Sequence, residues 1–209
     1  MIVMTERLDE LVLCADGRRR CAWCASAPEF PDYHDNEWGF PVDDDIRLFE
    51  KICLEGFQSG LSWRTILVKR PAFRDAFVDF DFHRLAEFTE VNVGELMNNK
   101  GIVRHRGKIE AVINNAKRAI EMLQNHGSLS AFFWRYEPDP SQFHEPQMVT
   151  TCPEAIALSK DLKKLGWKFV GPTTLFAFMQ AMGMVNDHVH GCISRFAVEQ
   201  ARQDFKRPG

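Results

Sequence analysis

The 209-residue chain lacks a long apolar run. No stretch approaches the length needed to cross a bilayer, which excludes a helical membrane protein. A signal-peptide core is also missing from the first 20 residues, because Leu8 to Cys14 is too short and follows acidic residues. The expected compartment is the cytoplasm. Excess positive charge is absent too. With a formal net charge of −3, a nucleic-acid face has to be a local patch, not a global field. The six cysteines, Cys14, Cys21, Cys24, Cys53, Cys152 and Cys192, do not form the dense framework of a secreted disulfide scaffold. Beside histidines in a reducing compartment they read as metal ligands or buried thiols. Period-two alternation is nearly absent. So are internal repeats, a Walker loop, a GxGxxG fingerprint and a Gx-Ser-xG elbow. No nucleotide cofactor is therefore expected. What remains is a globular composition, 45% hydrophobic and 26% charged, in a chain that reads as all-α.

The richest stretch runs from Pro153 to Cys192. Pro153 suits a first helical position, and Ala155, Ile156, Leu158 and Leu162 make an apolar stripe up to Leu165. Gly166 is a C-terminal stop, Gly171-Pro172 marks a turn, and Thr173 or Thr174 is placed to cap a second helix, Leu175 to Met182. Such a pair is either an ordinary core hairpin or a device that aims backbone N–H groups at a phosphate. His188 and Cys192 then stand four apart, one face of a helix if the chain is helical there.

Upstream, Asp43-Asp44-Asp45 starts a helix that runs to about Ser59 and carries Glu55 near its unfavourable C-terminal end. Ser62 caps a helix from Trp63 to about Lys69, and Pro71 opens another. Asp81 and Thr89 start two more, and a long helix fills residues 102–125. A short helix covers Leu129 to Arg135, and residues 137–151 read as a surface loop. Residues 1–20 read as an extension, with Arg18-Arg19-Arg20 a solvated charge run. Arg104, His105, Arg106 and Lys108, with Lys160 to Lys168, are the candidate phosphate-contacting face.

Two constellations carry chemistry. The first is a Cys/His set suited to zinc: Cys21, Cys24 and His34 in the irregular stretch 21–41, and His188, His190 and Cys192 near the end. Spacing alone does not choose among these six. The second is aromatic: Trp23, Phe30, Tyr33 and Trp63 can line a cavity with Glu55 at its back. Such a cavity suits a flat cationic ring bearing an amino group.

The segments YHDNEWG (Tyr33 to Gly39), CLEGFQSGLSW (Cys53 to Trp63), GIVRHRGKI (Gly101 to Ile109), GWKFVGPTT (Gly166 to Thr174) and VNDHVHGC (Val185 to Cys192) resemble, in the same order, the DNA-3-methyladenine glycosylase I family. These are constitutive bacterial alkylation-repair enzymes of the helix-hairpin-helix superfamily. The resemblance spans roughly residues 21–192. It implies an all-α fold with a helix-hairpin-helix at about 160–182, inside a glycosylase domain of 21–195, followed by a tail at 196–209. It implies a structural zinc on Cys21, His34, His188 and Cys192, which leaves Cys24 and His190 as bystanders. The base pocket falls on Trp23, Phe30, Tyr33, Glu55 and Trp63, with Glu55 catalytic. Phe30 stands where family members often carry Tyr. Asp187 lies where other branches place a catalytic Asp, and Leu61 is a guess for the residue that plugs the gap left by the base. The implied activity is monofunctional excision of 3-methyladenine from alkylated double-stranded DNA by a monomer. No lysine stands out for Schiff-base chemistry.

Overall fold

Asp44 opens the central helix of the protein: its carboxylate accepts from Arg47 N at 2.8 Å, where the first-turn N–H groups need a partner. In this computed structural model, residues 10–142 and 145–209 are described. The expected extension at 1–20 therefore lies partly outside the described residues, as do 143–144 of the loop.

The order begins with β1 (Leu11–Leu13) and β2 (Arg19–Cys21), an antiparallel pair with Leu11 opposite Cys21. A 3-10 turn at Ala22–Ser26 leads to α1 (Phe30–Asn36), then α2 (Asp45–Gln58) and α3 (Trp63–Ala76). After these come α4 (Phe82–Leu85), α5 (Glu90–Asn98), α6 (Arg106–His126) and α7 (Leu129–Phe133). The series closes with α8 (Pro153–Lys164), α9 (Pro172–Ala181) and α10 (Ile193–Asp204). α2 is the axle: it packs on α9 on one side and on α3, α6 and α7 on the others. Its Leu48, Phe49, Ile52 and Phe57 are buried in the core. The fold is mostly helical.

Several expectations change. The two short strands break the all-α reading, and they bury Arg20, which the charge run had put in solvent. Pro71 does not open a helix. It sits inside α3, which continues through it while Ile66, Leu67 and Phe73 hold their burial on one side. Pro172, not a threonine, starts α9 at the position where a missing N–H costs nothing, and no side chain caps it. The tail expected from residue 196 begins inside α10, whose Val198 and Arg202 are buried.

The turn between α8 and α9 is clamped to the body. Gly166 ends α8 at φ 82°, and Ser159 Oγ donates to Val170 O at 2.6 Å. From α6, Asn115 donates to Lys168 O at 3.0 Å and accepts from Lys168 N at 2.9 Å, while Asn114 donates to Gly166 O. A Cβ on Gly56 of α2 would stand 3.2 Å from Phe169 Cβ, so the turn and α2 touch. The far end of α9 is equally tight: a Cβ on Gly183 would lie 2.4 Å from Pro41 N, which only glycine permits.

Candidate functional site

Two polar clusters meet on α1, which places Tyr33 and His34 side by side. On the His34 side, Cys21, His34, His188 and Cys192 are all buried, and their donor atoms lie within 4.8 Å of one another. His34 Nε2 is 3.2 Å from His188 Nδ1 and 3.4 Å from Cys192 Sγ. His188 Nδ1 is 3.7 Å from Cys21 Sγ and 3.5 Å from Cys192 Sγ.

The outer nitrogens are tied off. Asp35 Oδ1 takes the His34 Nδ1 proton at 2.7 Å, and the Trp38 carbonyl takes the His188 Nε2 proton at 3.0 Å. This fixes both tautomers so that lone pairs face inward. Arg20 in turn grips Asp35 through Nε at 3.0 Å and Nη2 at 2.7 Å, and reaches Asp16 with its other edge. Burial would raise the Asp35 carboxyl, but hydrogen bonds from Arg20 and His34 hold it below its usual range. Asp16 is lowered to about 2, chiefly by its hydrogen bond to Arg20. Between the thiols, the contact with Cys21, followed by those with His188 and His34, favours the thiolate at Cys192, and the same contact holds Cys21 as the thiol. Two sulfurs and two inward nitrogens, buried and mutually close, can hold a metal ion. Cys24 is buried nearby but outside this group, and His190 is exposed beside Glu145 at 3.2 Å.

On the Tyr33 side, Trp23 and Phe30 meet edge to face at 5.6 Å, Trp23 approaches Tyr33 at 6.4 Å, and Tyr33 approaches Trp63 at 5.3 Å. Trp23 and Trp63 are half-buried, Phe30 and Tyr33 buried. Glu55 is buried as well, 5% exposed. Trp63 Nε1 is buried with no acceptor among the described residues.

A residue missed from the sequence completes the cluster. Lys51, one helical turn before Glu55, is buried, and its Nζ lies 2.8 Å from Glu55 Oε1 and 2.9 Å from Tyr33 Oη. It also sits 3.5 Å from the centre of the Trp63 ring. The i,i+4 spacing to Glu55 was the available signal. Burial alone would lower the Lys51 pKa; Glu55 and Tyr33 outweigh burial and hold it above the ordinary lysine value. At the rim, Arg70 pairs with Glu37 at 2.6 Å and Arg74 with Glu50 at 2.9 Å. The cavity left among these groups is about 20 Å³, room for roughly one water.

The other candidates fall as follows. Asp187 is buried, its Oδ1 accepting from Gln147 N at 2.8 Å and its Oδ2 from Gln180 Nε2. Both oxygens thus brace the loop against α9. Leu61 is exposed on the turn between α2 and α3. Of the expected cationic face, Lys108 turns inward and donates to Phe57 O and Ser59 O, satisfying the end of α2. Arg106 pairs with Glu90 and Glu110. Arg104, Lys160 and Lys168 stay exposed.

Comparison with known proteins gives one answer. The family profile described as methyladenine glycosylase matches residues 23–195. DNA-3-methyladenine glycosylase 1 of Escherichia coli is 46% identical over 177 residues, 83% of this chain and 95% of that protein. The DNA-3-methyladenine glycosylase of Haemophilus influenzae is 45% identical over 83% of this chain and 96% of its own. Among solved structures, 3-methyladenine DNA glycosylase I from Staphylococcus aureus, described for its recognition of 3-methyladenine, superposes with a TM-score of 0.79. It is 38% identical, covering 84% of this chain and 96% of that one. The chain belongs to the methyladenine glycosylase family.

Proposed function

We propose that this protein is a monofunctional DNA glycosylase that excises 3-methyladenine from alkylated double-stranded DNA. The observation that carries the reading is the aromatic pocket closed by a buried carboxylate, Tyr33, Trp63 and Glu55 together, in a member of the methyladenine glycosylase family. A damaged base inside a duplex is out of reach, so the nucleotide is flipped into the pocket. Methylation at N3 makes the adenine cationic, and the glycosidic bond weakens because the base departs neutral. Little acid catalysis is then needed. The Trp23, Phe30, Tyr33 and Trp63 faces favour a charged ring over a neutral one. Glu55 accepts from the exocyclic amino group and supports the cationic sugar-like transition state. A guanine presents O6 to the same carboxylate, and two acceptors repel. Lys51, held as an ammonium by Glu55 and Tyr33, is a poor nucleophile, so strand cleavage through a Schiff base is not expected.

The turn from Gly166 to Gly171 between α8 and α9 is proposed as the helix-hairpin-helix that grips the DNA backbone beside α2. Residues 21–195 are proposed as the glycosylase unit, with Arg20 and the rest of α10 packed into it. Leu61, exposed next to the pocket helix, is the proposed plug for the gap left by the flipped base. The four-donor cluster is proposed to hold one structural zinc. Tetrahedral zinc, with Zn–N of about 2.05 Å and Zn–S of about 2.3 Å, spaces two nitrogens by about 3.3 Å and a nitrogen and a sulfur by about 3.6 Å. The observed spacings are 3.2 Å for the nitrogens and 3.4 to 3.7 Å for nitrogen and sulfur. Bound zinc would tie β2 and α1 to the start of α10 and supply no chemistry to the reaction. The enzyme is proposed to act as a cytoplasmic monomer without a nucleotide cofactor.

The test is base release from methylated duplex DNA, with chromatographic identification of the freed base. Release of 3-methyladenine with little 7-methylguanine supports the reading. Broad release removes the guanine filter, and no release by folded, metal-loaded protein removes the glycosylase.

A further inference from the structure

The glycosylase reading leaves Lys51 without a task. A buried ammonium is costly and persists only where partners compensate it. Here the partners are informative. Nζ lies 2.8 Å from the Glu55 carboxylate, 3.5 Å from the centre of the Trp63 ring, and 2.9 Å from the Tyr33 hydroxyl. These groups are the ones assigned above to the methylated base: a carboxylate for its amino group and π faces for its charge. Beyond them only about 20 Å³ is open, far less than a purine fills.

Resting on that reading, we infer that Lys51 is a gate built as a competing occupant: its ammonium holds the place of the cationic base in the base-free enzyme, and a base enters only by displacing it. Displacement strips Glu55 of its counter-charge inside a low-dielectric pocket. A cationic methylated base restores that charge. A neutral base of the same shape does not, so Glu55 sets the preference for charge while Lys51 sets how tightly any base is held. At the rim of the same cavity Glu37 and Glu50 are already paired with Arg70 and Arg74, so the displaced ammonium gains no new carboxylate there and every occupant bears that cost. Once the glycosidic bond breaks, the departing base is neutral, and Lys51 returns to Glu55 and expels it. The gate thus weakens the hold on every occupant and hastens loss of the neutral product.

The test uses the whole chain with lysine labelled by 13C at Cε, and two small probes. One is the 3,9-dimethyladeninium cation, in which a methyl replaces the sugar. The other is its neutral isostere, 3,9-dimethyl-3-deazaadenine. In the free wild-type protein one lysine signal is expected upfield of the rest, from the ring current of Trp63. The cation should return it to the ordinary range, and the neutral isostere at the same concentration should not. Wild-type protein should bind the cation at least tenfold more tightly than the isostere, and Lys51→Met should tighten both by about tenfold or more and keep their ratio, while Lys51→Arg stays near wild type. A signal that stays upfield when the cation binds, or unchanged affinities for both probes in Lys51→Met, overturns the gate. If Lys51→Met does not fold, the wild-type titration still decides. Base release by wild-type protein from methylated duplex is run in parallel. Failure there removes the base pocket and the gate with it, whereas release accompanied by an unmoved lysine signal removes the gate alone.

Discussion

Two buried polar clusters share helix α1, and they are built on opposite principles. The Cys21, His34, His188 and Cys192 cluster is locked from outside. Its imidazoles are fixed by Asp35 and the Trp38 carbonyl, Asp35 is fixed by Arg20, and the lone pairs converge on one point. The Tyr33, Lys51, Glu55 and Trp63 cluster is satisfied from inside. A carboxylate and an ammonium, both on α2, neutralise each other against aromatic faces. The first arrangement suits a permanent occupant, because every donor is held in one orientation. The second suits an exchangeable one, because an incoming ligand can replace an internal partner. Adjacent residues, His34 and Tyr33, thus stand in a cluster suited to a fixed staple and in one suited to exchange.

This contrast is open to attack at graded strength. The largest effect is expected at the staple. His188→Ala should drop metal content from one ion per chain toward none and lower the Tm by about 10 °C or more; elemental analysis and calorimetry on one preparation check this. Next, Glu55→Gln should slow excision by about 100-fold while duplex binding persists, since a charged group aimed at the transition state is lost. Arg20→Ala should weaken metal affinity by about 10-fold or more, read by competition with a chelator, because Asp35 loses the grip that orients His34. Leu61→Ala should cost about 5-fold, or ~1 kcal/mol, on a duplex and little on a single strand; equal losses on both would remove the plug. Smallest is Phe30→Tyr, expected to change excision by about threefold at most, since stacking is retained and one hydroxyl is added.

Features set by neighbouring residues were legible in the sequence. Helix starts at the Asp43-Asp44-Asp45 run, Ser62 and Thr89 are legible, and Asp44, Ser62 and Thr89 are seen there, because a cap is a bond between a side chain and a backbone N–H a few residues away. The hairpin of α8 and α9 was legible through its apolar stripe and its glycines. Features made by distant contacts were not. Arg20 reads as part of a charge run, and only the folded chain brings Asp35 and Asp16 around it. Lys108 reads as part of a basic patch, yet the end of α2, 49 to 51 residues away, draws it inside. Pro71 reads as a helix boundary, yet core burial carries α3 through it. Lys51 is not legible as a pocket residue because a lysine on an amphipathic helix is ordinarily solvated, and its burial depends on Tyr33 and Trp63 closing over it. The candidate site was named in outline through the family resemblance; the internal ion pair at its centre was not.

The division of labour between the clusters is tested most directly by comparing wild-type protein and Glu55→Gln on one methylated duplex, with metal content and Tm measured on the same samples. The predicted result is release of 3-methyladenine by the wild type, loss of about 100-fold in the variant, unchanged metal content, and a lower Tm because the buried Lys51 ammonium loses its carboxylate partner. Wild-type excision by Glu55→Gln, or loss of metal along with activity, would contradict it.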